Sequence, residues 1–160
     1  MVPARELIDT WASLYANSAA IRSGVAFAHV GALLGGGGCA VAADLWTLKA
    51  SQRGTASVQA ELERLHGVHR VVVANLAIVV VSGVLLMGAD FDAYLASAAF
   101  WIKMALVVGL VINGAVLVRT SIRIAAGDTR AVGHVRPVSM ASLTLWFVTT
   151  LMGAVLPNVL

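Results

Sequence analysis

Cysteine and charged residues are both scarce in this sequence. Cys39 is the single cysteine among 160 residues, so no disulfide can form within the chain. Only 12% of the residues are charged, whereas about 25% are charged in a typical soluble domain. The sequence has no phosphate-binding loop, zinc-ligand spacing or nucleophile triad. Its length leaves no room for a separate soluble catalytic domain, so any chemistry must use residues inside the apolar segments or at their ends.

Apolar residues are abundant instead, and they make up 59% of the chain. A helix needs roughly 20 apolar residues to cross the hydrocarbon core of a bilayer. Four runs approach that length, over residues 24–45, 71–89, 98–118 and 138–156. Residues 1–22 place Leu7, Trp11 and Leu14 at helical spacing, which is typical of an amphipathic interfacial helix. We therefore predict an all-α integral membrane four-helix bundle, one domain over residues 1–160, with an N-terminal amphipathic interfacial helix.

Charge is distributed unevenly among the connections between these runs. The basic residues concentrate in residues 49–70 and 119–136, whereas the third connection carries Asp90 and Asp92. Cytoplasmic loops of membrane proteins are enriched in Lys and Arg. The pattern predicts that both basic loops are cytoplasmic and that both termini lie on the outer face, although two arginines in residues 1–22 favour the opposite orientation. Since the basic residues are not pooled in one patch, the lipid bilayer and not nucleic acid is the expected partner.

His29 lies about one and a half turns from the outer end of the first run. Ionisable residues inside apolar spans are rare and suggest a site. Gly36 and Ala40 share its helical face, so a planar ring has space beside the imidazole. This predicts a cofactor site for heme b in which His29 binds the heme iron. The alternative is a histidine that only hydrogen-bonds a backbone carbonyl or a serine of another span.

Lys103 lies at a similar depth in the third run. Its ammonium group is expected either to snorkel to the interface or to meet a propionate, a quinone oxygen or one of the two aspartates of the outer loop. Three methionines also fall near this depth, one on each of the other spans: Met87, Met104 and Met152. Together with His29 they offer ligands suited to Cu(I), and the alternative is that they only fill gaps in the packing.

Small residues recur every four positions in the first run, at Gly31, Gly35, Cys39 and Ala43. Such a stripe lets another helix approach closely. That helix belongs either to this chain or to another membrane subunit. The stripe therefore raises a second hypothesis, a non-catalytic accessory or assembly subunit of a larger membrane energy-transducing complex.

The remaining polar residues are assigned structural places. Asp44 is expected at the inner end of the first span, so no carboxyl group is predicted within a span, which disfavours a proton-coupled transporter. Asn75 and Asn113 are expected to hydrogen-bond each other between the second and third spans. Residues 59–66 are expected to continue the second span as a helix. Three histidines at the inner ends of spans are left without an assigned role: His66, His69 and His134.

The segment Phe100-Trp101-Ile102-Lys103-Met104-Ala105-Leu106, together with His29 before the glycine-rich residues 35–38, resembles several small bacterial four-helix membrane families. They are uncharacterised predicted inner-membrane proteins with an aromatic-Trp-x-Lys third span, the copper-resistance protein D group, and the membrane protoporphyrinogen oxidase that binds heme b. In that oxidase a first-span histidine and a third-span lysine are functionally important, and the resemblance carries those roles to His29 and Lys103. It also implies a bacterial cytoplasmic (inner) membrane.

These patterns predict a small membrane-embedded cofactor-binding protein of the heme b redox type. An accessory subunit is the first alternative, and copper handling is a weaker one. Whether the protein is an enzyme stays open at this point.

Overall fold

The structure is a computed structural model that describes residues 4–159, and this part of the chain is helical nearly throughout, without a β-strand. Seven α-helices follow one another, and three-residue 3-10 turns flank the last of them at Thr129–Ala131 and Leu156–Asn158. The helices are α1 (Ala4–Asn17), α2 (Ala19–Ser51), α3 (Thr55–Arg64), α4 (His66–Ala89), α5 (Phe91–Ala96), α6 (Ala98–Ala125) and α7 (Val132–Val155).

Four of the helical segments are long and apolar enough to cross a membrane. They are Ala19–Ser51, Gly67–Ala89, Ala98–Ala125 and Thr129–Asn158. Each contains one of the four apolar runs of the sequence, so the number and order of long apolar helices agree with the prediction.

The long helices pack in the order α4, α2, α7, α6. α2 is central and packs along α4 on one side and α7 on the other, while α6 packs along α7. Within residues 4–159, α4 and α6 make no comparable contact, and a closed four-helix bundle would also need that pair. α1 packs against the C-terminal part of α4, and α3 packs against the C-terminal end of α2. We call the end of the helix row at α1 the outer end and the end at α3 the inner end.

The ends of the helices differ from the apolar runs of the sequence. Ser18 caps α2, because its hydroxyl accepts a hydrogen bond from the Ile21 amide, so residues 19–22 belong to α2 and not to the first helix. α2 then continues to Ser51, six residues beyond the predicted end. Its last turns pack against α3 and α7, and the buried apolar contacts of Ala50 stabilise them.

Two further boundaries were predicted wrongly. Residues 59–66 do not extend α4: α3 ends at Arg64, and Leu65 separates the two helices. α7 begins at Val132, six residues before the apolar run 138–156, so Pro137 lies inside the helix. The 3-10 turn that leads directly into Val132 supplies helical backbone ahead of the proline.

A small apolar core holds the inner ends of the helices together. Val58 of α3 is fully buried against residues of α2, α6 and the start of α7. The other buried members of this cluster are Ala50, Ile124, Ala131 and Val135. α3 therefore closes the inner end of the helix row.

At the outer end, α1 is held by two polar contacts. The Trp11 indole donates a hydrogen bond to the Leu85 carbonyl of α4 at 2.8 Å. The Arg5 guanidinium binds both carboxylate oxygens of Asp92 in α5, at 3.0 and 2.5 Å. This pairing lowers the pKa of the Asp92 carboxyl group. Asp92 is thus paired with Arg5 and not with Lys103.

The glycine-rich residues of α2 are packing positions. A β-carbon at Gly36 would lie 2.7 Å from the Asn75 β-carbon of α4, and one at Gly37 would lie 3.2 Å from the Trp146 ring of α7. Because glycine costs about 1 kcal/mol of helix propensity relative to alanine, these close approaches account for two of the four consecutive glycines. Gly38 has nothing within 4 Å of such a carbon.

The predicted hydrogen bond between Asn75 and Asn113 is not formed. Asn75 donates to the Val71 carbonyl of its own helix, and Asn113 donates to the Val138 carbonyl of α7. The two asparagines are separated because α4 packs on α2 while α6 packs on α7.

Candidate functional site

His29 makes a defined hydrogen bond across the interface between α2 and α4. Its Nδ1 lies 2.9 Å from the Ser82 hydroxyl oxygen. This is the contact with a serine of another span that the sequence offered as the alternative to a ligand role. It uses one ring nitrogen and leaves the other available.

The direction of that hydrogen bond follows from the hydroxyl group. Ser82 donates its one hydrogen to carbonyl groups of its own helix, at 2.6 Å to Ile78 and 3.2 Å to Val79. Toward His29 it must therefore accept, so Nδ1 carries the proton. In the neutral imidazole this places the free lone pair on Nε2.

The imidazole also has a defined orientation. A β-carbon added at Gly83 would lie 3.4 Å from Cε1 and 3.8 Å from Nδ1 of His29. That edge of the ring therefore faces α4. Nε2, which is bonded to Cε1 in the ring, makes no hydrogen bond within the described chain.

Lys103 is level with His29 on the far side of α7. Its Nζ lies 3.7 Å from the position of a β-carbon at Gly153. Gly37 of α2 touches Trp146 of α7, and moving seven residues outward along these antiparallel helices brings residue 30 level with Gly153.

The Lys103 ammonium group has no carboxylate or carbonyl partner among residues 4–159. It is partly buried, and a buried ammonium group gains from an acceptor. His29 and Lys103 together thus present a nitrogen lone pair and a cation at one depth, with no partner for either from this part of the chain.

The surface beside His29 that the sequence predicted to be open for a planar ring is not open in the structure. Gly36 is buried, and Asn75 fills the space above it. Ala40, on the same face, is half-buried. A ring therefore does not fit against Gly36 in this helix arrangement. The donor set, Nε2 of His29 and the Lys103 ammonium group, suits heme b, but the surface of α2 at Gly36 does not.

The other predicted ligands do not form a site that the contacts define. Met87, Met104 and Met152 are each half-buried. His69 and His134 are exposed, and the side chain of His66 lies outside the described part of the structure. No group of three His, Cys, Asp or Glu side chains suited to a metal occurs in the described chain.

Asp44 is the functional candidate that the sequence misplaced. It lies inside α2, seven residues before the helix ends, and is 3% exposed. The hydroxyl groups of Ser142 and Ser139 on α7 lie beside its carboxyl group. The signal that was missed is the absence of any proline or glycine over residues 45–51, which lets α2 continue past Asp44.

Comparison with known proteins found no matching family model, no matching curated protein and no matching solved structure.

Proposed function

We propose that this chain spans a membrane through α2, α4, α6 and α7 and that it is a small cofactor-binding protein of the redox type, with heme b as its cofactor. The membrane part of the proposal is supported by large apolar side chains that face outward: Phe27 is 80% exposed, Leu34 71% and Phe147 69%. In water such surfaces are aggregation liabilities, whereas in hydrocarbon they carry no cost.

The cofactor part is carried by the hydrogen bond between His29 and Ser82. A histidine that binds a metal donates its other ring N–H to a fixed acceptor, which holds the tautomer and the ring orientation. Ser82 is such an acceptor, because its own hydrogen is used within α4. The protein therefore offers an oriented Nε2 lone pair in a part of the chain that is otherwise apolar.

Each residue then has a defined role toward the cofactor. His29 would hold the iron through Nε2, Ser82 would orient the imidazole, and Lys103 would neutralise a propionate. Heme b would supply one-electron redox chemistry when bound. Because Asn75 covers Gly36, the ring would have to lie elsewhere than on the Gly36 surface.

An absorption spectrum tests this function. Protein purified in mild detergent from hemin-supplemented cells should show a Soret band, and His29→Ala should remove it. Ser82→Ala should keep the protein folded but weaken heme retention, by about 10- to 100-fold, which is typical for a lost outer-shell partner. His134→Ala, at an exposed histidine, is the matched control and should retain the band.

Two results would sink the heme proposal. One is the absence of a Soret band after direct titration of the folded protein with hemin. The other is a wild-type spectrum in His29→Ala. Metal analysis of protein from copper-replete cells tests the copper alternative, which would use His29 with Met87, Met104 and Met152.

A role as an accessory subunit is the second candidate, and one observation favours it. Gly24, Gly31 and Gly38 recur every seven residues along α2, and β-carbons at all three would meet nothing within 4 Å. Small residues with no neighbour among the described residues of their own chain leave space for a helix of another subunit. If gentle extraction from the native membrane yields a lone monomer, and Gly31→Leu changes nothing in its size, this candidate fails.

A further inference from the structure

Asp44 is a buried carboxyl group without a cationic partner in the described chain. It is 3% exposed, and none of the salt bridges among residues 4–159 involves it. An isolated carboxylate is costly to bury, so such groups are paired, coordinated or neutralised. The structure therefore calls for a positive species at this position that the described side chains do not supply.

The groups around Asp44 are hydroxyls. Ser142 and Ser139, one turn apart on the face of α7 that packs against α2, lie beside the carboxyl group. Thr47 is also buried, but its hydroxyl donates to the Ala43 carbonyl of its own helix at 2.8 Å. The two serines are thus the hydroxyl groups available to whatever neutralises Asp44.

Ser139 provides the second observation. Its side chain is 0% exposed, and its hydroxyl oxygen has no hydrogen bond of acceptable distance and angle within the described chain. A buried hydroxyl without a partner is destabilising, because it has given up its hydrogen bonds to water. The Ser139 hydroxyl lies next to the Asp44 carboxyl group but forms no hydrogen bond with it, so its oxygen is available to a ligand bound by Asp44.

We propose that Asp44, Ser139 and Ser142 form a binding site for a monovalent metal cation of the Na⁺ type. Carboxylate and hydroxyl oxygens are hard ligands that suit such ions. One carboxylate and two neutral hydroxyls give the site a charge that a monovalent ion cancels, whereas a divalent ion would leave an uncompensated charge within the helices. A proton would also neutralise Asp44, because a protonated carboxyl group donates one hydrogen bond and accepts others, so the experiment must separate a sodium effect from an acid effect.

This site is separate from the one around His29. Asp44 follows His29 by 15 residues on the same helix, which is roughly 22 Å along the axis. Cation binding and heme binding are therefore independent proposals. The absorption spectrum tests heme binding, and thermal unfolding in sodium tests cation binding.

The test is a sodium titration of the purified protein in lipid nanodiscs at pH 7, with choline chloride keeping the ionic strength constant. Trp146 lies one turn from Ser142 on α7 and is one of four tryptophans, so tryptophan fluorescence reports unfolding and includes a signal from near the site. A ligand that binds only the folded state stabilises it by an amount that grows with the logarithm of the ligand concentration above Kd, so the midpoint of thermal unfolding should rise with the logarithm of the sodium concentration.

Variants separate the site from general salt effects. Asp44→Asn, which keeps the shape and removes the charge, should abolish the sodium dependence. Ser139→Ala should weaken the apparent sodium affinity about tenfold, the equivalent of about 1.4 kcal/mol. Asp90→Asn, at an exposed acidic residue, should leave the dependence intact.

The proposal is overturned if wild-type protein unfolds at the same temperature in sodium and choline, or if Asp44→Asn shows the wild-type dependence. It is equally overturned if acid in choline stabilises the protein but sodium does not, since the site then binds a proton only. Should Asp44→Asn fail to fold, ²³Na line broadening by wild-type protein, and its reduction in Ser139→Ala, decides the question.

Discussion

Replacing Gly36 or Gly38 of α2 by alanine should change the stability of the fold in opposite directions. At Gly36 the added carbon would lie 2.7 Å from the Asn75 β-carbon, and at Gly38 it would meet nothing within 4 Å. The Asn75 β-carbon is attached directly to the backbone of α4, so no side-chain rotation relieves the clash. The helices α2 and α4 must move apart to accommodate Gly36→Ala.

The magnitude follows from two opposing contributions. Each substitution gains up to about 1 kcal/mol of helix propensity, and overpacking a close contact costs about 1–3 kcal/mol. Gly38→Ala should thus be neutral or stabilising by up to about 1 kcal/mol, whereas Gly36→Ala should range from neutral to destabilising by about 2 kcal/mol. The propensity gain is common to both, so their difference of about 1–3 kcal/mol measures the contact alone.

The assay is reversible unfolding in mixed micelles, followed by helical circular dichroism. Asn75→Gly removes the opposing carbon and should rescue part of the loss in Gly36→Ala, with a coupling of about 0.5–3 kcal/mol. If Gly36→Ala is as stable as Gly38→Ala, the contact between α2 and α4 is not as close as described. If Asn75→Gly gives no rescue, Asn75 is not its cause.

Three other perturbations test the two ends of the molecule. Arg5 holds the pKa of Asp92 below its usual range, so the ion pair stabilises the folded chain above the unfolded value of about 3.9 and is lost as the pH falls through the folded value. The protection factors of the α1 amides, which correct for the intrinsic pH dependence of exchange, should accordingly be lower at pH 3 than at pH 7, and a pH response unchanged in Asp92→Asn would contradict this assignment. Val58→Ala should destabilise the fold by about 2 kcal/mol, because the side chain is fully buried. Val81→Ala, at a site 62% exposed, should stay within about 0.5 kcal/mol, and equal losses in chemical unfolding would argue against the inner core. Trp11→Phe deletes the donor to the α4 carbonyl and should cost about 1 kcal/mol, seen as faster exchange in α1; unchanged exchange would mean that the hydrogen bond does not hold the helix.

The elements that the sequence located well are those with a strong local signal. Four long apolar helices follow from four apolar runs, because an apolar segment of that length that is buried away from water satisfies its backbone hydrogen bonds by forming a helix. The boundary at Ser18 was not located, because the sequence analysis assigned residues 1–22 to a single interfacial helix. The backbone geometry shows that Ser18 ends this helix and caps α2.

Contacts between helices were harder to infer. The hydrogen bond from His29 to a serine of another span was foreseen as a type of contact, and the structure identifies the serine as Ser82. The flat face at Gly36 was read as open space, but Asn75 occupies it. Sequence spacing says which residues share a face of a helix, and it does not say what lies opposite that face.

Asp44 is a second residue whose partners on the facing helix the sequence did not show. Hydropathy placed it at the end of a span, because the apolar run stops at Leu45. The helix nevertheless continues to Ser51, and its rotation turns Asp44 toward two serines of α7. The partners of a buried charge are thus set by the register between α2 and α7.

By itself, then, the sequence determined the class of fold, the four apolar helices and the polar residues within them, since these depend on composition and local periodicity. Only the tertiary structure decided that α2 lies between α4 and α7, that Nε2 of His29 is left free, and that Asp44 meets Ser139 and Ser142. The physical reason is that rotation and register between helices are fixed by side-chain packing at close range, and each of these contacts joins residues far apart in the chain.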